Sequence, residues 1–343
     1  MRAVAPVSTA PATAGVAPTR RRPRHRRAST TRGVPKASAV DSEDVSTPTG
    51  PSRRGVLAAP LVAAAASAPT GGSLFAPPRA RAEETRVLVV SSSGAADAGS
   101  AKTFPSVTAA LAALSARGDA SPASIRLSPG VYAERVVVPA SLAGDLSIEP
   151  VAGAAPGSVT LEHRTGSPYE ATVENQMPAS RGAVTLRSVN VRHASPSVAN
   201  NYAAFATPGS SLTLESCDVQ SDTGSGIAAE GATLVVKDCR VHDCKSHGVA
   251  VYGDLLGEFG SGEVSDCAVA RNGGDGVLLR QGAFGVVRGC VITDNGGFSV
   301  ELVDCREGTT LVNNKWTGSK KRAAVRFGGY GEEDVECENN VEV

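Results

Sequence analysis

The stretch from Thr233 to Tyr252 reads TLVVKDCRVHDCKSHGVAVY, and its pattern returns from Phe284 to Val303 as FGVVRGCVITDNGGFSVELV. At its centre is a short phrase: a hydrophobic residue, Cys or Asn, then any residue, then Val, Ile or Trp. The phrase begins at Val189, Cys217, Cys239, Cys267, Cys290, Asn314 and Asn339, with spacings of 28, 22, 28, 23, 24 and 25 residues. Spacings of this length indicate a chain of similar, stacked units.

Each unit contains two runs of alternating apolar and polar residues around a turn rich in Gly, Asn and Asp. In one unit these runs are Val236 to Val241 and Gly248 to Val251. Such short alternating runs are typical of β-strands, and one unit cannot bury its inner face alone. Coils stacked about 4.8 Å apart solve this problem, because every strand pairs with its neighbours above and below. The sequence therefore predicts an all-β protein, a right-handed single-stranded parallel β-helix of about 8–9 coils.

Residues at equal positions of successive coils form columns inside this β-helix. Cys217, Cys239, Cys267 and Cys290 are predicted to form an inward ladder of small side chains that Asn314 continues. Asp222, Cys244, Asn272 and Asn295 form a second column, predicted to satisfy backbone groups of the turns. Cys305 and Cys337 fall outside the first ladder and are the predicted redox-active thiols.

The N-terminal region has the composition of targeting segments. The first forty residues contain nine Lys or Arg and no Asp or Glu, which predicts a disordered plastid transit peptide over residues 1–50, with a basic nucleic-acid-binding arm as the alternative. Residues 51–82 follow with Arg53-Arg54, an apolar run to Ala68 and Ala80-Arg81-Ala82 before a cleavage position. The apolar run is too short to span a bilayer, so no stable membrane anchor is expected.

Together these two segments resemble the bipartite presequence of proteins that reach the thylakoid lumen of chloroplasts in a folded state. The resemblance implies a chloroplast, thylakoid-lumen location and the twin-Arg translocase as a partner during import. Residues 1–82 carry 13 of the 34 Lys and Arg but only 3 of the 34 Asp and Glu, so residues 83–343 have a net charge of −10. This charge argues against a nucleic-acid partner. Residues 83–343 are long enough for one elongated domain.

The β-helix begins with a predicted capping helix at about residues 104–117, where Val107, Ala110, Leu111 and Leu114 have helical spacing. Such a helix would cover the end of the coil stack. The phrase Pro129-Gly130-Val131-Tyr132-Ala133-Glu134 follows. Helix and phrase together resemble the first coil of the pectin-lyase-like β-helix superfamily, which includes pectin methylesterases and the β-helix domains of F-box ubiquitin-ligase adaptors.

The resemblance does not extend to catalytic motifs. Pectin methylesterases carry a Gln and two Asp residues in characteristic phrases, and none of these phrases occurs in this sequence. The paired Asp residues of polygalacturonases and the Asp-Pro-His phrase of alginate epimerases are also missing. Kinship of fold therefore implies no activity here. A ubiquitin-ligase role is not expected either, because the chain has no room for an F-box module.

One outward patch has residues suited to chemistry. His247 and Asp275 occupy equal positions of adjacent coils, and Glu230, Tyr252 and Arg280 do so five residues after that column. His247, Tyr252, Asp275 and Arg280 are the predicted catalytic residues, able to abstract a sugar proton or hold a uronate carboxylate. Glu230, Tyr252 and Arg280 are the predicted ligand-binding residues. The alternative is that all are ordinary surface residues.

No metal site and no cofactor are predicted, although Ca²⁺ is left open. Cys239, His242, Cys244 and His247 lie close in sequence, but their spacing matches no standard zinc site. The sequence thus favours a non-catalytic β-helix of the thylakoid lumen that binds a carbohydrate or a lumenal protein. The alternative is a polysaccharide-modifying enzyme, similar to a lyase, epimerase or esterase, that acts on an acidic glycan.

Overall fold

The computed structural model describes residues 85–92, 103–196, 201–253, 259–318, 324–329 and 335–343. By its contacts the chain divides into two units, residues 1–74 and 75–343, and every described residue belongs to the second. The transit peptide predicted for residues 1–50 and the twin-Arg signal predicted for residues 51–82 lie outside the described residues.

The described part of the chain is a parallel β-helix whose strands form three sheets, A, B and C. Sheet A contains β1 Arg86–Val90, β2 Thr103–Phe104, β3 Ala123–Leu127, β6 Leu146–Pro150, β9 Val184–Arg187, β12 Ser211–Glu215, β15 Thr233–Lys237, β18 Ser261–Ser265, β21 Phe284–Arg288, β24 Thr310–Val312 and β27 Glu336–Glu338. Sheet B contains β4 Gly130–Ala133, β7 Val159–Arg164, β10 Asn190–Ala194, β13 Asp218–Ser221, β16 Arg240–His242, β19 Ala268–Ala270, β22 Val291–Thr293, β25 Lys315–Trp316 and β28 Val341–Glu342. Sheet C contains β5 Val136–Val138, β8 Ala171–Asn175, β11 Tyr202–Ala206, β14 Ser225–Glu230, β17 Val249–Tyr252, β20 Val277–Arg280, β23 Val300–Val303 and β26 Val325–Gly328.

The coils follow one another along the stack, because each strand pairs in parallel with the strand of the same sheet in the next coil. Within the described residues eight coils are complete, from β3–β5 to β24–β26, and β27 and β28 begin a ninth. The predicted all-β parallel β-helix of about 8–9 coils is confirmed.

Each coil has one strand more than the sequence pattern predicts. The run from Val236 to Val241, predicted as a single strand, is divided between β15 and β16, because Asp238 has φ +51° and turns the chain. Equivalent residues of other coils have the same left-handed backbone: Ser188, Ser216, Asp266, Gly289, Asn313 and Asn339. Gly and short polar residues adopt this conformation at the lowest cost, so the column of Ser, Asp, Asn and Gly marks a corner between sheets A and B.

The helix α1, Val107–Ser115, packs against β1, β2 and β5 at the first coil. It is shorter than the predicted 104–117, because Ser106 is its N-cap and accepts a hydrogen bond from the N–H of Ala109 at 3.0 Å. The carboxylate of Glu134 accepts from the N–H groups of Val107 and Thr108 at 2.8 and 2.9 Å. A carboxylate at a helix N-terminus satisfies unpaired donors and complements the helix dipole. The Glu of the Pro-Gly-Val-Tyr-x-Glu phrase thus attaches the helix to the first coil.

A short 3-10 turn, Ala179–Arg181, precedes β9.

The predicted Cys ladder is confirmed. Its four Cys side chains are 1–2% exposed, and Asn314 continues the column in full burial. The backbone N–H of Cys217 donates to Sγ of Cys239 at 3.4 Å, and that of Cys290 donates to Oδ1 of Asn314 at 3.0 Å. Cys239 and Asn314 therefore each accept a hydrogen bond from the preceding coil.

The second predicted column is confirmed in part. The N–H of Cys244 donates to Asn272, and the N–H of Asn272 donates to Asn295, both at 3.0 Å. The prediction is wrong for Asp222, which is exposed and takes no part in this column. Cys305 is buried, and burial raises the pKa of its thiol to about 11, which argues against the redox role predicted for it. Cys337 is exposed.

A third column of small residues lies at the corner between sheets B and C. Gly226, Gly248 and Gly276 occupy it in successive coils. A Cβ atom on Gly276 would lie 2.4 Å from Cγ2 of Ile292 and 2.6 Å from the carbonyl oxygen of Ser299. The backbones of neighbouring strands therefore approach too closely here for a larger side chain.

Among the described residues no helix is long and apolar enough to cross a membrane.

Candidate functional site

The outer surface of sheet C, which we call face C, brings the predicted site residues together. His247 and Asp275 lie in adjacent coils, with Nδ1 and Oδ2 3.0 Å apart. Glu230 pairs in register with Tyr252, and Tyr252 with Arg280, so these three form a second column along the same sheet. The buried side chains of Ala228, Ala250 and Leu278 form an apolar strip outside the main core, with Phe205 and Tyr252 packed against it.

The Asp275 carboxylate is engaged within its own turn. Its Oδ1 accepts a hydrogen bond from the N–H of Phe298 at 2.7 Å, and its Oδ2 faces His247. Burial raises the pKa of Asp275, but the hydrogen bonds from His247 and Phe298 outweigh burial and hold this pKa below its usual value. The side chain is 7% exposed. An ionised carboxylate with both oxygens occupied suits the role of fixing the turn better than that of a proton acceptor.

The Tyr252 hydroxyl is also unsuited to act as a base at neutral pH. Its pKa is raised, chiefly because burial disfavours the phenolate, although the nearby Arg280 acts in the opposite direction. The four residues predicted as catalytic are therefore gathered on one face, and the pKa shifts of Asp275 and Tyr252 do not favour either of them as a base at neutral pH.

Face C contains a pocket that the sequence did not predict. The pocket has a volume of about 170 Å³ and lies across β8, β11 and β14. It is lined by three carboxylates, Glu170, Glu174 and Glu230, and by three aromatic rings, Tyr169, Tyr202 and Phe205. Of the predicted ligand-binding residues, Glu230 is among its lining groups.

Two of the rings form one wall of this pocket. The ring centroids of Tyr202 and Phe205 are 4.9 Å apart, and their planes are inclined by 31°. The Tyr202 hydroxyl donates a hydrogen bond to Oε1 of Glu230 at 3.2 Å. Burial, together with the negative charge of Glu230, raises the pKa of Tyr202 far above its usual value, so this hydroxyl remains a donor.

Arg135 neutralises part of the negative charge of the pocket. Its guanidinium lies 2.6 Å from Oε2 of Glu174 and 3.4 Å from Oε1 of Glu170. Hydrogen bonds from Thr165, the larger influence, and from His163 lower the pKa of Glu170, so its carboxylate is ionised at neutral pH. No salt bridge of the described residues involves Glu230.

The sequence contained a signal for this pocket. Tyr202 lies 23 residues before Ser225 and pairs with it in register, so it belongs to the column of Ser225, His247 and Asp275. Phe205 follows three residues later, on the same outer face. The signal is weak, because in the coil that contains Tyr202 the repeated phrase has Val189 in place of Cys, and the turn after it is longer than in the next coil.

The Cys and His residues considered for zinc are held apart by the fold. Cys239 and Cys244 point into the core, whereas His242 lies on the outside of sheet B, where Nδ1 is 2.6 Å from Asp243 and Nε2 is 3.1 Å from Asp218. In the part of the chain that the structure describes, no group of three or more His, Cys, Asp or Glu residues is arranged to hold a metal ion.

Comparison with a protein-family model agrees with the β-helix architecture. Residues 178–341 match the family model described as the right handed beta helix region. The matched region and the described strands both have the architecture of a right-handed parallel β-helix. The chain matches no curated protein at a significant level.

Among solved structures, the chain is similar to the pectin methylesterase from Aspergillus niger, with 16% identity and a TM-score of 0.45, over 72% of this chain and 91% of that one. It is similar to the rice weevil pectin methylesterase, with 11% identity and a TM-score of 0.46, over 78% and 91% of the two chains. The catalytic domain of a GH87 alpha-1,3-glucanase in complex with nigerose has 12% identity and a TM-score of 0.47, over 78% of this chain and 46% of that one. Similarity at this level concerns the fold and carries no argument about activity.

Proposed function

We propose that the protein is a non-catalytic carbohydrate-binding β-helix and that a sugar binds in the face C pocket. The observation that carries this proposal is the pairing of rings and carboxylates in one concave site of about 170 Å³. Aromatic rings such as those of Tyr202 and Phe205 pack against the apolar C–H faces of sugars, and carboxylates accept hydrogen bonds from sugar hydroxyls. Binding sites are typically concave and aromatic, with a few polar groups that fix orientation.

The carboxylates of the pocket support binding rather than catalysis. Glycoside hydrolysis needs one carboxylic acid with a raised pKa beside a second carboxylate. Glu170 has a lowered pKa instead, and both oxygens of Glu174 accept hydrogen bonds, from Arg135 at 2.6 Å and from Gln176 at 2.6 Å. These carboxylates are positioned as acceptors.

The first test is a glycan array probed with the full chain and with Phe205→Ala. We expect the wild-type chain to bind at least one class of glycan and the variant to lose about tenfold in affinity, because a stacking ring contributes on the order of 1–2 kcal/mol. Phe284→Ala is the matched control, since Phe284 is an exposed ring on sheet A, and it should bind as the wild type does. If no glycan binds, or if Phe205→Ala binds unchanged, the proposal fails, and a protein partner for face C takes its place.

A polysaccharide-modifying activity is the second candidate, and the contact between His247 and Asp275 favours it. An imidazole held by a carboxylate is an arrangement that general bases use. Product release from the bound glycans is followed in the same screen. Turnover that is present in the wild type and absent from His247→Ala would establish an enzyme, whereas binding without turnover supports the non-catalytic role.

The proposed location is the thylakoid lumen, and it rests on the sequence of residues 1–82. Arg53 and Arg54 are the predicted twin-Arg pair. Changing both to Lys should stop transfer into the lumen of isolated chloroplasts while entry into the stroma continues, because the first forty residues are unchanged. Arg21 and Arg22 changed to Lys serve as the control and should leave lumenal transfer intact.

A further inference from the structure

The charge of the pocket restricts the sugars that it can hold. Three carboxylates line the pocket. The guanidinium of Arg135 is shared by two of them, Glu170 and Glu174. His193 lies in the interior next to Thr172, with its Nδ1 3.2 Å from Oγ1 of that residue. Burial and the neighbouring His163 lower the pKa of His193 to about 4, so it adds no positive charge at neutral pH.

The position of Glu230 provides a place for a cation. Its Oε1 accepts the Tyr202 hydroxyl, and its Oε2 accepts no hydrogen bond from any described residue. The Tyr202 and Phe205 rings stand beside this carboxylate. Aromatic faces attract ammonium groups, and the attraction grows where the group is partly removed from water. A carboxylate next to two rings is therefore a better partner for an ammonium than for a neutral hydroxyl.

We infer that the glycan bound on face C carries unacetylated amines, and that one ammonium lies between the Glu230 carboxylate and the Tyr202–Phe205 ring pair. This inference rests on the proposed carbohydrate-binding function and names the class of sugar. A uronate would bring a carboxylate towards Glu174 and Glu230, which repel it. An N-acetyl group would remove the charge and add bulk to a pocket that has room for only about five or six water molecules.

The inferred ligand differs from the acidic glycan that the sequence suggested for the enzymatic alternative. That suggestion depended on Arg280 as the group that holds a uronate carboxylate. Arg280 lies two coils beyond Glu230 in the same column and is not among the residues that line the pocket. The aromatic wall and the unpaired carboxylate lie together, at the other end of the column.

The experiment is calorimetric titration of the full chain with three β-1,4-linked tetrasaccharides of equal length, made of glucosamine, N-acetylglucosamine and glucose, at mildly acidic pH and low salt. The glucosamine tetramer should bind about tenfold more tightly than the other two, because one charge-assisted contact and one cation–π contact are added. Added salt should reduce this preference.

Glu230→Gln keeps the size of the side chain and removes its charge. It should abolish the preference for the glucosamine tetramer, while binding of the glucose tetramer stays within about twofold. Glu263→Gln is the matched control, because Glu263 is a carboxylate on sheet A that is paired with Arg288 at 2.8 Å. This variant should prefer the glucosamine tetramer as strongly as the wild type does.

The outcomes separate the two proposals. Equal binding of the three tetramers, or a preference that survives in Glu230→Gln, overturns the amine inference and leaves the carbohydrate-binding function standing. Absence of binding to all three, after an array that also shows none, overturns both.

Discussion

The outer faces of sheets B and C both carry salt bridges between coils, but one carboxylate of sheet C, Glu230, lacks such a partner among the described residues. On sheet B, Asp218 lies 2.5 Å from Arg192 and 3.1 Å from His242, and Asp243 lies 2.7 Å from Arg271. These carboxylates and their partners come from adjacent coils. On sheet C, Glu230 faces the Tyr202 hydroxyl and aromatic rings, without a salt bridge to any described residue.

The difference separates stabilisation from recognition within one repeating fold. Charges that are paired across coils help to hold the coils together and leave little to offer a ligand. A carboxylate that lacks a cationic partner contributes less to stability, and its remaining lone pairs are available to a bound molecule. The same parallel stacking therefore places paired carboxylates on sheet B and, on face C, an unpaired Glu230 that we propose is completed by a ligand.

The largest expected effect concerns the corner that joins the two sheets. Gly276→Ala places a Cβ atom 2.4 Å from Ile292, and either the strand or that side chain must shift. We expect a loss of about 3 kcal/mol or more in the free energy of unfolding, measured by urea denaturation. Ser299→Ala is the control in the next coil of the same column and should lose only about 1 kcal/mol, through its hydrogen bonds to Ile292 and Thr317. Equal losses for the two variants would contradict this account of the corner.

The second prediction concerns His193, which lies in the interior behind face C. Its pKa is lowered from 6.5 to about 4 by burial and by His163, so the unfolded chain binds more protons than the folded chain between these values. Stability should therefore be fully present above about pH 6.5 and fall as the pH drops towards 4, by roughly 2–3 kcal/mol. His193→Gln should flatten the curve of unfolding free energy against pH in this range. A variant curve with the slope of the wild type would show that other groups are responsible.

The third prediction separates the two faces directly. Asp218→Asn removes charge from the sheet B network and should lower the free energy of unfolding by about 1–2 kcal/mol, with glycan affinity unchanged. Glu230→Gln should change stability by no more than about 0.5 kcal/mol and reduce affinity for the preferred glycan about tenfold. Chemical denaturation and calorimetry of both variants provide the measurement. The contrast is lost if Asp218→Asn weakens binding as strongly as Glu230→Gln does.

The smallest effect is the response of sheet B to acid. Hydrogen bonds from Arg271, the larger influence, and from His242 hold the pKa of Asp243 well below its usual 3.8. The contribution of Asp243 to stability is present above pH 3.8 and is lost as the pH falls through the lowered folded value. The melting temperature of wild type should thus fall more steeply below pH 4 than that of Asp243→Asn. The side chain is largely exposed, so the difference between the two curves should be small.

The sequence predicted the register of most coils, because the Cys phrase repeats in residues that must point inwards. It was wrong by one residue in the last coil, where Asn340 continues the ladder after Asn314 and Asn339 forms the corner. It also placed Glu230, Tyr252 and Arg280 in one outward column, which follows from the same register. It missed the third strand of each coil, because one left-handed residue such as Asp238 divides a run without interrupting its alternation.

The pocket could not be predicted in full from the repeat. Tyr202 belongs to the same column as Ser225, so the repeat could have placed it on face C. The charge of the pocket, however, depends on Arg135 and Glu170, which pair across 35 residues of sequence. A repeating pattern records what the coils share. A binding site depends on side chains that single coils do not share, and their pairing is set by the three-dimensional path of the turns.

The two interior ladders give the stack a direction. Cys239, Asn314 and Asn272 each donate the backbone N–H to the coil that follows and accept, on the side chain, an N–H from the coil that precedes. Cys and Asn side chains therefore accept equivalent hydrogen bonds between coils, and coils of 22 and 28 residues can stack on each other. Duplication of a single coil would leave no rung unsatisfied in the interior. The length of face C can thus change during evolution in whole steps of about 4.8 Å, while the core chemistry stays the same.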